Sequence, residues 1–364
     1  MTSQPLIGKL RPRAAVERMH EYHPPLAGRN GLRLDFNENT LAPSPRVQAV
    51  LVKIAAESLT RYPEREHVEH IAAEHFGLRH EGILLTNGVD EAIHLVCETY
   101  LEPEDEVIVV TPTFSMYRLY AEVTGATVRS IQSDADLQFP YEKIQQAIRL
   151  STRLIMIASP NNPTGAVVES RVLLELAASV PQAALLVDEA YFHFHGESVL
   201  KDTATVTNLL VARTFSKAYG LAGLRIGLLA GHPDTIRFIR KVSSPYNVNS
   251  IALECLPEAL ADEAYVSWYA DQVRHSRALA EDTLQKLEIP YWPSHANFVL
   301  MKIGSRHKPL VEAMRRHGVL VRDRSADPGC DGCVRITLGT LDQTRQGLAA
   351  LENSLKEIAW QPGN

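Results

Sequence analysis

Residues 209–231 read LLVARTFSKAYGLAGLRIGLLAG, and in this stretch two short apolar runs enclose a polar, glycine-rich segment. The runs are Leu209–Val211 and Ile226–Ala230, and the segment between them carries Ser216 and Lys217. Short apolar runs bounded by turn residues are typical of strands that are buried on both faces. The stretch therefore predicts two buried strands with reactive side chains in the connection between them.

The same kind of run recurs upstream, at Glu106–Val110, Leu154–Ala158 and Ala184–Val187, with helix-like stretches in between. Alternating strands and helices imply right-handed βαβ units and a mainly parallel sheet. We therefore expect an α/β protein whose large domain, residues 46–250, has a mainly parallel sheet flanked by helices.

The two ends of the chain have a different pattern. Residues 1–45 are rich in proline and predict an irregular N-terminal arm that joins a small domain. Residues 251–288 have apolar residues at helical spacing and predict one or two long linking helices. Strand-like and helical segments alternate after them and end in a helix at Leu341–Ile358. We expect residues 251–364 to form the linking helix and a small α+β domain.

Composition excludes several classes of protein. The 364 residues include 37 basic and 43 acidic side chains, which gives a net charge of −6. A dedicated DNA or RNA binder usually has a basic face, so we expect no nucleic-acid partner. No run of 18 apolar residues occurs, so no membrane span is expected. The first 20 residues lack the apolar run of a secretory signal, which favours a cytoplasmic protein.

Cysteines and histidines give little reason to expect a metal. Four cysteines are too few for a disulfide scaffold. Cys330 and Cys333 have C-x-x-C spacing but lack the second pair that a zinc ribbon needs, so we expect them in a turn. Two histidine pairs at short spacing also lack a third partner, and no metal site is predicted. These pairs are His67 with His70 and His193 with His195.

Polar residues follow several predicted strands at the point where each strand ends. Asn162 follows RLIMIASP, Asp188 follows ALLV, and Ser216 and Lys217 follow NLLVARTF. In a parallel α/β sheet these carboxyl ends face a common crevice where ligands bind. Each residue alone has a structural explanation, in a turn, a helix cap or the surface. Together they predict one site built from distant segments.

Lys217 lies in an apolar, glycine-rich setting that would partly desolvate its amine. Desolvation lowers the pKa of a lysine and makes the neutral amine nucleophilic. Such an amine forms Schiff bases with aldehydes, including that of pyridoxal phosphate, whose ring nitrogen needs an acid partner. Asp188 is placed to be that partner, and Tyr191 and Asn162 are placed to hydrogen-bond the ring oxygen.

A phosphate group would need its own cradle. NGVDE at 87–91 begins a predicted helix, and the backbone amides of Gly88, Val89 and Asp90 suit an anion. Phe114 follows the Glu106–Val110 run and is a candidate to stack on a ring. The same features also fit a capping turn without ligand and an ordinary core phenylalanine. Hydroxyl and guanidinium groups that would complete the phosphate site belong to Thr214, Ser216 and Arg225.

Two arginines lie in predicted strands of the small domain, Arg322 in GVLVR and Arg335 in CVRITLG. They are either exposed side chains on a sheet edge or a bidentate clamp for an anion, a geometry that lysine does not reproduce. Two arginines suit a dianionic phosphate better than a lone carboxylate.

At this point the sequence resembles a known family. SPNNPTG at 159–165, DEAYF at 188–192 and SKAYGLAGLRIG at 216–227 are similar to the signatures of fold-type-I, class I/II pyridoxal-phosphate-dependent aminotransferases. Further motifs resemble the histidinol-phosphate aminotransferase family, although aromatic aminotransferases and threonine-phosphate decarboxylases share many of them. These motifs are LDFNEN at 34–39, RYP at 61–63, NGVDE at 87–91 and the two arginine-bearing strands.

The resemblance implies a cofactor, pyridoxal 5'-phosphate, and a role for each motif around it. Lys217 would form the Schiff base and act as acid and base in the 1,3-proton shift. Asp188 would pair with the pyridine nitrogen, and Asn162 and Tyr191 would bond the ring oxygen. Phe114 would stack on the ring. The phosphate would lie among Gly88, Val89, Asp90, Thr214, Ser216 and Arg225.

The resemblance also implies an assembly and a reaction. Tyr62 would reach the cofactor phosphate of the partner subunit, so we expect a homodimer with shared active sites. Tyr22 and Asn37 would lie near the substrate, and Arg322 and Arg335 would bind its anionic group. The implied reaction exchanges an amino group between L-histidinol phosphate and 2-oxoglutarate, in histidine biosynthesis. Aromatic amino-acid transamination and threonine-phosphate decarboxylation are the alternatives.

Two other classes of α/β protein fit less well. A nicotinamide-dependent dehydrogenase would need G-x-G-x-x-G between a first strand and a helix, and the sequence has none. A non-catalytic regulator with this fold usually carries an added DNA-binding domain. We expect no room for one in 364 residues beside the full enzyme.

Overall fold

The computed structural model describes residues 10–21, 23 and 28–363, and the strands of this part lie in three sheets. In chain order the strands are β1 Leu32–Arg33, β2 Ile83–Thr86, β3 Glu106–Thr111, β4 Thr127–Gln132, β5 Thr152–Ala158, β6 Ala184–Asp188, β7 Leu209–Thr214, β8 Gly227–Gly231, β9 Tyr291–Trp292, β10 Phe298–Lys302, β11 Val319–Leu320, β12 Arg322–Asp323 and β13 Cys333–Thr337. The α-helices are α1 Ala14–Glu17, α2 Pro45–Lys53, α3 Glu57–Thr60, α4 Glu66–Phe76, α5 Gly88–Tyr100, α6 Met116–Thr124, α7 Tyr141–Ala147, α8 Ser170–Ser179, α9 Pro233–Ile239, α10 Ser250–Leu260, α11 Glu263–Lys286, α12 His307–Arg316 and α13 Leu341–Glu357.

The largest sheet has seven strands in the order β2-β8-β7-β6-β5-β3-β4. β8 is antiparallel to both of its neighbours, and the other pairs are parallel. Every residue of β6, β7 and β8 is buried, because helices cover both faces of the sheet. The mainly parallel sheet predicted from the short apolar runs is confirmed.

The two strands that the sequence did not predict are the edges of this sheet. β4, with the sequence TVRSIQ, alternates between exposed and partly buried residues and has no continuous apolar run. β2 has only three apolar residues before Thr86. An edge strand has a neighbour on one side only, so its sequence needs less apolar character.

The antiparallel strand β8 brings a helix start close to the sheet. A Cβ atom at Gly227 would lie 2.8 Å from the carbonyl carbon of Gly88 and 3.0 Å from the amide nitrogen of Val89. Only glycine fits at this contact. The first turn of α5 is therefore held against the carboxyl-end edge of the parallel strands.

The C-terminal part of the chain forms a four-stranded antiparallel sheet with the order β12-β13-β10-β9. The short parallel pair of β1 and β11 joins the N-terminal segment to it. α10 and α11 connect this part to the large sheet. α10 contains a proline and α11 has 24 residues, in agreement with the one or two long linking helices expected over residues 251–288. Among the described helices, none is both long and apolar enough to cross a membrane.

Candidate active site

A cavity of about 520 Å³ lies at the carboxyl ends of β5, β6 and β7, next to the four-stranded sheet. Its volume is in the usual range for a small-molecule site. The carboxyl ends of parallel strands meet at one edge, so side chains from three distant segments converge there. The predicted site residues that line this cavity are Asn37, Val89, Asp90, Phe114, Asn162, Asp188, Tyr191, Thr214, Ser216, Lys217, Arg225, Arg322 and Arg335.

Lys217 follows β7 and reaches into the centre of this cavity. Its Nζ donates a hydrogen bond to the carbonyl oxygen of Phe36 at 3.0 Å and lies 5.8 Å from the centre of the Tyr191 ring. Burial lowers the pKa of Lys217 from 10.5 to about 8, and the charge of Arg335 acts in the same direction. The neutral, nucleophilic amine is therefore populated near physiological pH.

Asp188 is the last residue of β6 and is buried. Its carboxylate accepts hydrogen bonds from the Tyr117 hydroxyl at 2.7 Å and from the Ala190 amide at 2.9 Å. Burial raises the pKa of Asp188 to about 6, although both hydrogen bonds oppose that shift. The charged side chains that perturb it, Asp90 and Glu189, are acidic. The carboxylate therefore lacks a cationic partner in the described chain.

Asn162 and Tyr191 are held by residues from the C-terminal and N-terminal parts. The Asn162 side-chain oxygen accepts a hydrogen bond from Arg335. The Tyr191 hydroxyl accepts one from the Asn37 amide at 2.9 Å. Asn37 has a left-handed backbone, with φ 55°, and is bonded on both its backbone and side chain to Thr337. These bonds fix the part of the cavity wall that lies near Lys217.

The start of α5 provides the predicted anion site. Gly88 has φ +74°, and a Cβ there would lie 2.7 Å from Nη2 of Arg225, so glycine is required on two grounds. Arg225 donates to the Asp90 carboxylate at 2.8 Å. First-turn amides have no partner within their helix, and together with a guanidinium they favour a phosphate. The Thr214 and Ser216 side chains border the same cavity.

Phe114 lines the cavity with its edge against the Tyr117 ring, at a centroid distance of 5.7 Å. Tyr117 itself is fully buried, and the sequence prediction missed it. A signal was present, because Tyr117 lies three residues after Phe114, a spacing that puts neighbours on one face at the start of α6. Tyr117 is the residue that hydrogen-bonds Asp188.

Arg322 and Arg335 are opposite each other in the antiparallel register of β12 and β13, so their side chains share one sheet face. Arg335 is only 4% exposed, so it is not one of the exposed side chains on a sheet edge that the sequence also allowed. Besides Asn162, it donates to the Asp35 carbonyl oxygen at 2.7 Å, and burial lowers its pKa to about 9. Arg322 lies over the Phe36 ring, 5.0 Å from its centre.

Several cavity residues were not predicted. Arg324 also lines the cavity, directly after β12 and two residues beyond Arg322. Asp35 and Glu38 line it too, and both are bound to Arg29, at 2.7 and 2.6 Å. The acidic residues of the LDFNEN motif thus hold a basic side chain, which the linear motif does not reveal.

Two of the described residues predicted for the site, Gly88 and Tyr62, do not line the cavity. Gly88 lies in the helix start behind Arg225. Tyr62 is 80% exposed and stacks on Tyr246, with ring centres 4.3 Å apart. Tyr22 lies outside the described residues.

The histidines lie away from this cavity. His193 lines a second cavity, of about 780 Å³, between α4 and α11. That cavity is larger but lacks a lysine beside a buried unpaired carboxylate, so we place the candidate site in the first one. His70 stacks on His80 rather than pairing with His67, and together with Glu66 these two form a surface group whose donor atoms lie within 4.8 Å of one another.

A lysine amine of lowered pKa in the same cavity as a buried carboxylate without a cationic partner suits an enzyme that works through an aldehyde cofactor. The comparison with known families is more specific. Residues 29–351 match the model of the family described as aminotransferase class I and II, so the chain belongs to the class I and II aminotransferases. It is an aminotransferase enzyme.

Within this family, the chain is similar to proteins named histidinol-phosphate aminotransferase. The histidinol-phosphate aminotransferase of Roseiflexus castenholzii is 35% identical over 339 residues, which are 90% of this chain and 90% of that protein. The one from Moorella thermoacetica is 31% identical over 354 residues, 95% of this chain and 91% of that protein. Both bear out the resemblance inferred from the motifs.

A solved structure shows the same fold. The crystal structure of histidinol-phosphate aminotransferase from Sinorhizobium meliloti in complex with pyridoxal-5'-phosphate has a TM-score of 0.86 to this chain. It is 22% identical, and the match covers 96% of this chain and 98% of that one. The fold class, family and enzyme class predicted from the sequence are confirmed. The roles of individual site residues stay predictions.

Proposed function

We propose that this chain exchanges the amino group between L-histidinol phosphate and 2-oxoglutarate, giving imidazole acetol phosphate and L-glutamate in histidine biosynthesis. One observation carries the proposal. Arg322 and Arg335 lie side by side on the wall of the cavity that holds Lys217 and Asp188. A pair of guanidiniums facing a reactive amine suits an amino substrate with a phosphate at its other end.

The cofactor of this chain is pyridoxal 5'-phosphate, which when bound acts as an electron sink for the carbon that carries the amino group. The residues present fit it. Lys217 offers the amine for covalent attachment, and Asp188 offers a buried carboxylate for the ring N–H. Asn162 and Tyr191 offer hydrogen-bonding groups at the cavity rim. The start of α5, with Arg225, offers the phosphate site.

Lys217 would also move the proton that the reaction requires. With a pKa of about 8, its Nζ is able both to accept and to release a proton near neutral pH. The Phe36 carbonyl, which accepts a hydrogen bond from this amine, keeps Nζ in the cavity. Nζ would take the proton from the substrate carbon that bears the amino group.

Asp188 would stay ionised once a cationic N–H lies next to it, because an opposite charge lowers the pKa of a carboxyl group. The hydrogen bond from the Tyr117 hydroxyl holds one carboxylate oxygen in place. The other accepts from the Ala190 amide. The group is thus oriented before any ligand binds.

We further propose a homodimer with shared active sites, which is supported by one apolar surface. Its members are all at least 41% exposed: Leu51 (41%) and Val52 (88%) on α2, Leu59 (67%) on α3, and the stacked pair of Tyr62 (80%) and Tyr246 (55%). Exposed apolar residues grouped on neighbouring elements mark a contact surface. Tyr62 would lie at the partner's phosphate site. The cytoplasmic location stays a prediction.

Aromatic amino-acid transamination and threonine-phosphate decarboxylation are tested against the proposal by single-turnover kinetics. Holoenzyme would be mixed with histidinol phosphate, phenylalanine or phosphothreonine, and the loss of cofactor absorbance recorded. We expect histidinol phosphate to react fastest. Faster reaction with phenylalanine would overturn the substrate assignment, and release of carbon dioxide from phosphothreonine would indicate the decarboxylase.

A further inference from the structure

Arg324 places a third guanidinium on the wall that carries Arg322 and Arg335. It comes directly after β12, two residues beyond Arg322, and its side chain lines the same cavity. Its backbone N–H donates to the Cys333 carbonyl oxygen at 2.9 Å, which continues the ladder between β12 and β13. All three arginines line the 520 Å³ cavity.

The Arg324 side chain is held in place by the turn that follows it. Its guanidinium forms an ion pair with Asp327, and the side chain is 14% exposed. The Asp327 amide donates back to the Arg324 carbonyl oxygen at 2.9 Å, and the Cys330 amide donates to the Asp327 carbonyl oxygen at 3.0 Å. The side chain is therefore positioned before any ligand binds, which reduces the entropy lost on binding.

Two buried donors on this wall have no hydrogen-bond partner in the described chain. They are Nε of Arg324 and Nε of Arg335. A buried N–H without a partner is costly, and such groups usually await an ion, a water or a ligand. Arg324 is also close enough for its charge to lower the pKa of Arg335, with a larger effect than Arg322. The two guanidiniums thus share one neighbourhood.

The carboxylates near this wall leave it with an excess of positive charge. Asp327 is paired with Arg324, and Asp35 and Glu38 are both bound to Arg29. Arg335 is bonded to an amide oxygen and a carbonyl oxygen rather than to a carboxylate. A phosphate monoester carries up to two charges and three acceptor oxygens, more than a carboxylate offers.

We infer that Arg324 is a third contact for the anionic end of the substrate and makes the site select a phosphate monoester over a carboxylate. This inference rests on the proposed function, because it concerns the same site. In this view Arg324 distinguishes histidinol phosphate, the substrate of one half-reaction, from the carboxylate substrates of the other, glutamate and 2-oxoglutarate.

The test compares Arg324→Gln and Arg324→Lys with Arg345→Gln, which changes an exposed arginine on α13 that forms an ion pair with Asp342. Binding of inorganic phosphate to each holoenzyme would be measured by calorimetry. Single-turnover kinetics would follow with histidinol phosphate and with glutamate. Cofactor absorbance and thermal unfolding would show whether each variant is folded and loaded.

We expect Arg324→Gln to weaken phosphate binding and raise the KM for histidinol phosphate at least tenfold, with kcat and the glutamate reaction changed less than threefold. Arg324→Lys should weaken phosphate binding less, because lysine keeps the positive charge but lacks the paired N–H donors of the guanidinium. Arg345→Gln should match the wild type. Unchanged phosphate binding in Arg324→Gln, or an equal loss toward glutamate, would overturn the inference. If Arg324→Gln does not fold, Arg324→Lys is used instead. We then expect its phosphate binding to weaken and its KM for histidinol phosphate to rise at least threefold, and smaller changes would overturn the inference.

Failure of the proposed function would look different. In that case wild-type enzyme would not react with histidinol phosphate, while the calorimetric comparison with inorganic phosphate would still decide the role of Arg324.

Discussion

At the scale of single residues, burial brings the pKa values of Lys217 and Asp188 closer together. It lowers the pKa of the lysine to about 8 and raises that of the aspartate to about 6. In both cases the apolar surroundings disfavour the charged form. The amine that would attach the cofactor and the carboxylate that would pair with its ring N–H therefore both titrate near physiological pH before the cofactor binds.

The lowered pKa of Lys217 predicts how cofactor attachment depends on pH. The amine attacks only when deprotonated, and deprotonation is half complete near pH 8 instead of pH 10.5. The rate of attachment to apoprotein should rise from pH 6, reach half its maximum near pH 8 and level off above about pH 9. Stopped-flow absorbance would measure it, with Lys217→Ala as the variant that attaches no cofactor. A rate that keeps rising to pH 10 would contradict the prediction.

The hydrogen bond from Tyr117 predicts a role for a residue remote from the sequence motifs. Removing it in Tyr117→Phe should raise the pKa of Asp188 and weaken cofactor binding about tenfold, since a hydrogen bond to a charged group contributes about 1.5–3 kcal/mol. Equilibrium dialysis of the cofactor would measure the change. Tyr141→Phe, at a tyrosine on α7 whose hydroxyl accepts a hydrogen bond from Gln145 and which does not line the cavity, is the control and should bind like the wild type. Equal binding by both variants would exclude this role.

At the scale of elements, the site depends on the packing of α5 against β8. Gly227 in β8 and Gly88 at the start of α5 each lack the Cβ that would strike the other element or Arg225. The close contact places the first-turn amides at the cavity. We expect this helix start to serve as the phosphate site, and the approach is possible because the strand beside it has no side chain at residue 227.

This contact predicts the effect of filling the space. Gly227→Ala should reduce the free energy of unfolding by about 1–3 kcal/mol, the usual cost of overpacking, and should also weaken cofactor retention. Gly223→Ala is the matched control, since a Cβ there meets nothing within 4 Å. Denaturant titration of both variants would measure the difference. Similar stability of the two would show that the backbone relaxes at no cost.

At the scale of the whole molecule, the cavity is completed by parts of the chain that are far apart in sequence. Arg335 of the four-stranded sheet bonds Asn162 of the large sheet and the Asp35 carbonyl of the N-terminal segment. Opening the molecule would break all of these contacts together. The division into residues 1–45, 46–250 and 251–364 stays a prediction.

The apolar surface on α2 and α3 predicts the effect of a charge on assembly. Val52→Asp should convert a dimer into a monomer at micromolar concentration and reduce cofactor retention, because Tyr62 would leave the partner's site. Leu150→Asp, at a leucine that is 92% exposed elsewhere, should leave the assembly unchanged. Light scattering coupled to gel filtration would measure both. A Val52→Asp protein that remains dimeric would place the interface on another surface.

Much of this site follows from the sequence alone. Asp188 comes directly after a short apolar run, and Asn162 and Lys217 follow such runs within a few residues. The alternation of strands and helices requires those strand ends to meet at one edge. Local spacing and a general rule of parallel sheets are sufficient for that inference. The same reasoning made an aldehyde cofactor a candidate, and the resemblance of three motifs to the aminotransferase signatures then implied pyridoxal phosphate.

The tertiary structure alone decided which side chains hold these groups. The Tyr117–Asp188 bond, the Arg335–Asn162 bond and the binding of Asp35 and Glu38 by Arg29 depend on packing and side-chain direction. The first two join residues 71 and 173 positions apart. Sequence spacing carries no information on such distances, because only the folded backbone fixes which faces meet. For the same reason Arg324, which we propose as a third contact for the substrate's anionic end, is recognised as a cavity residue only in the folded structure.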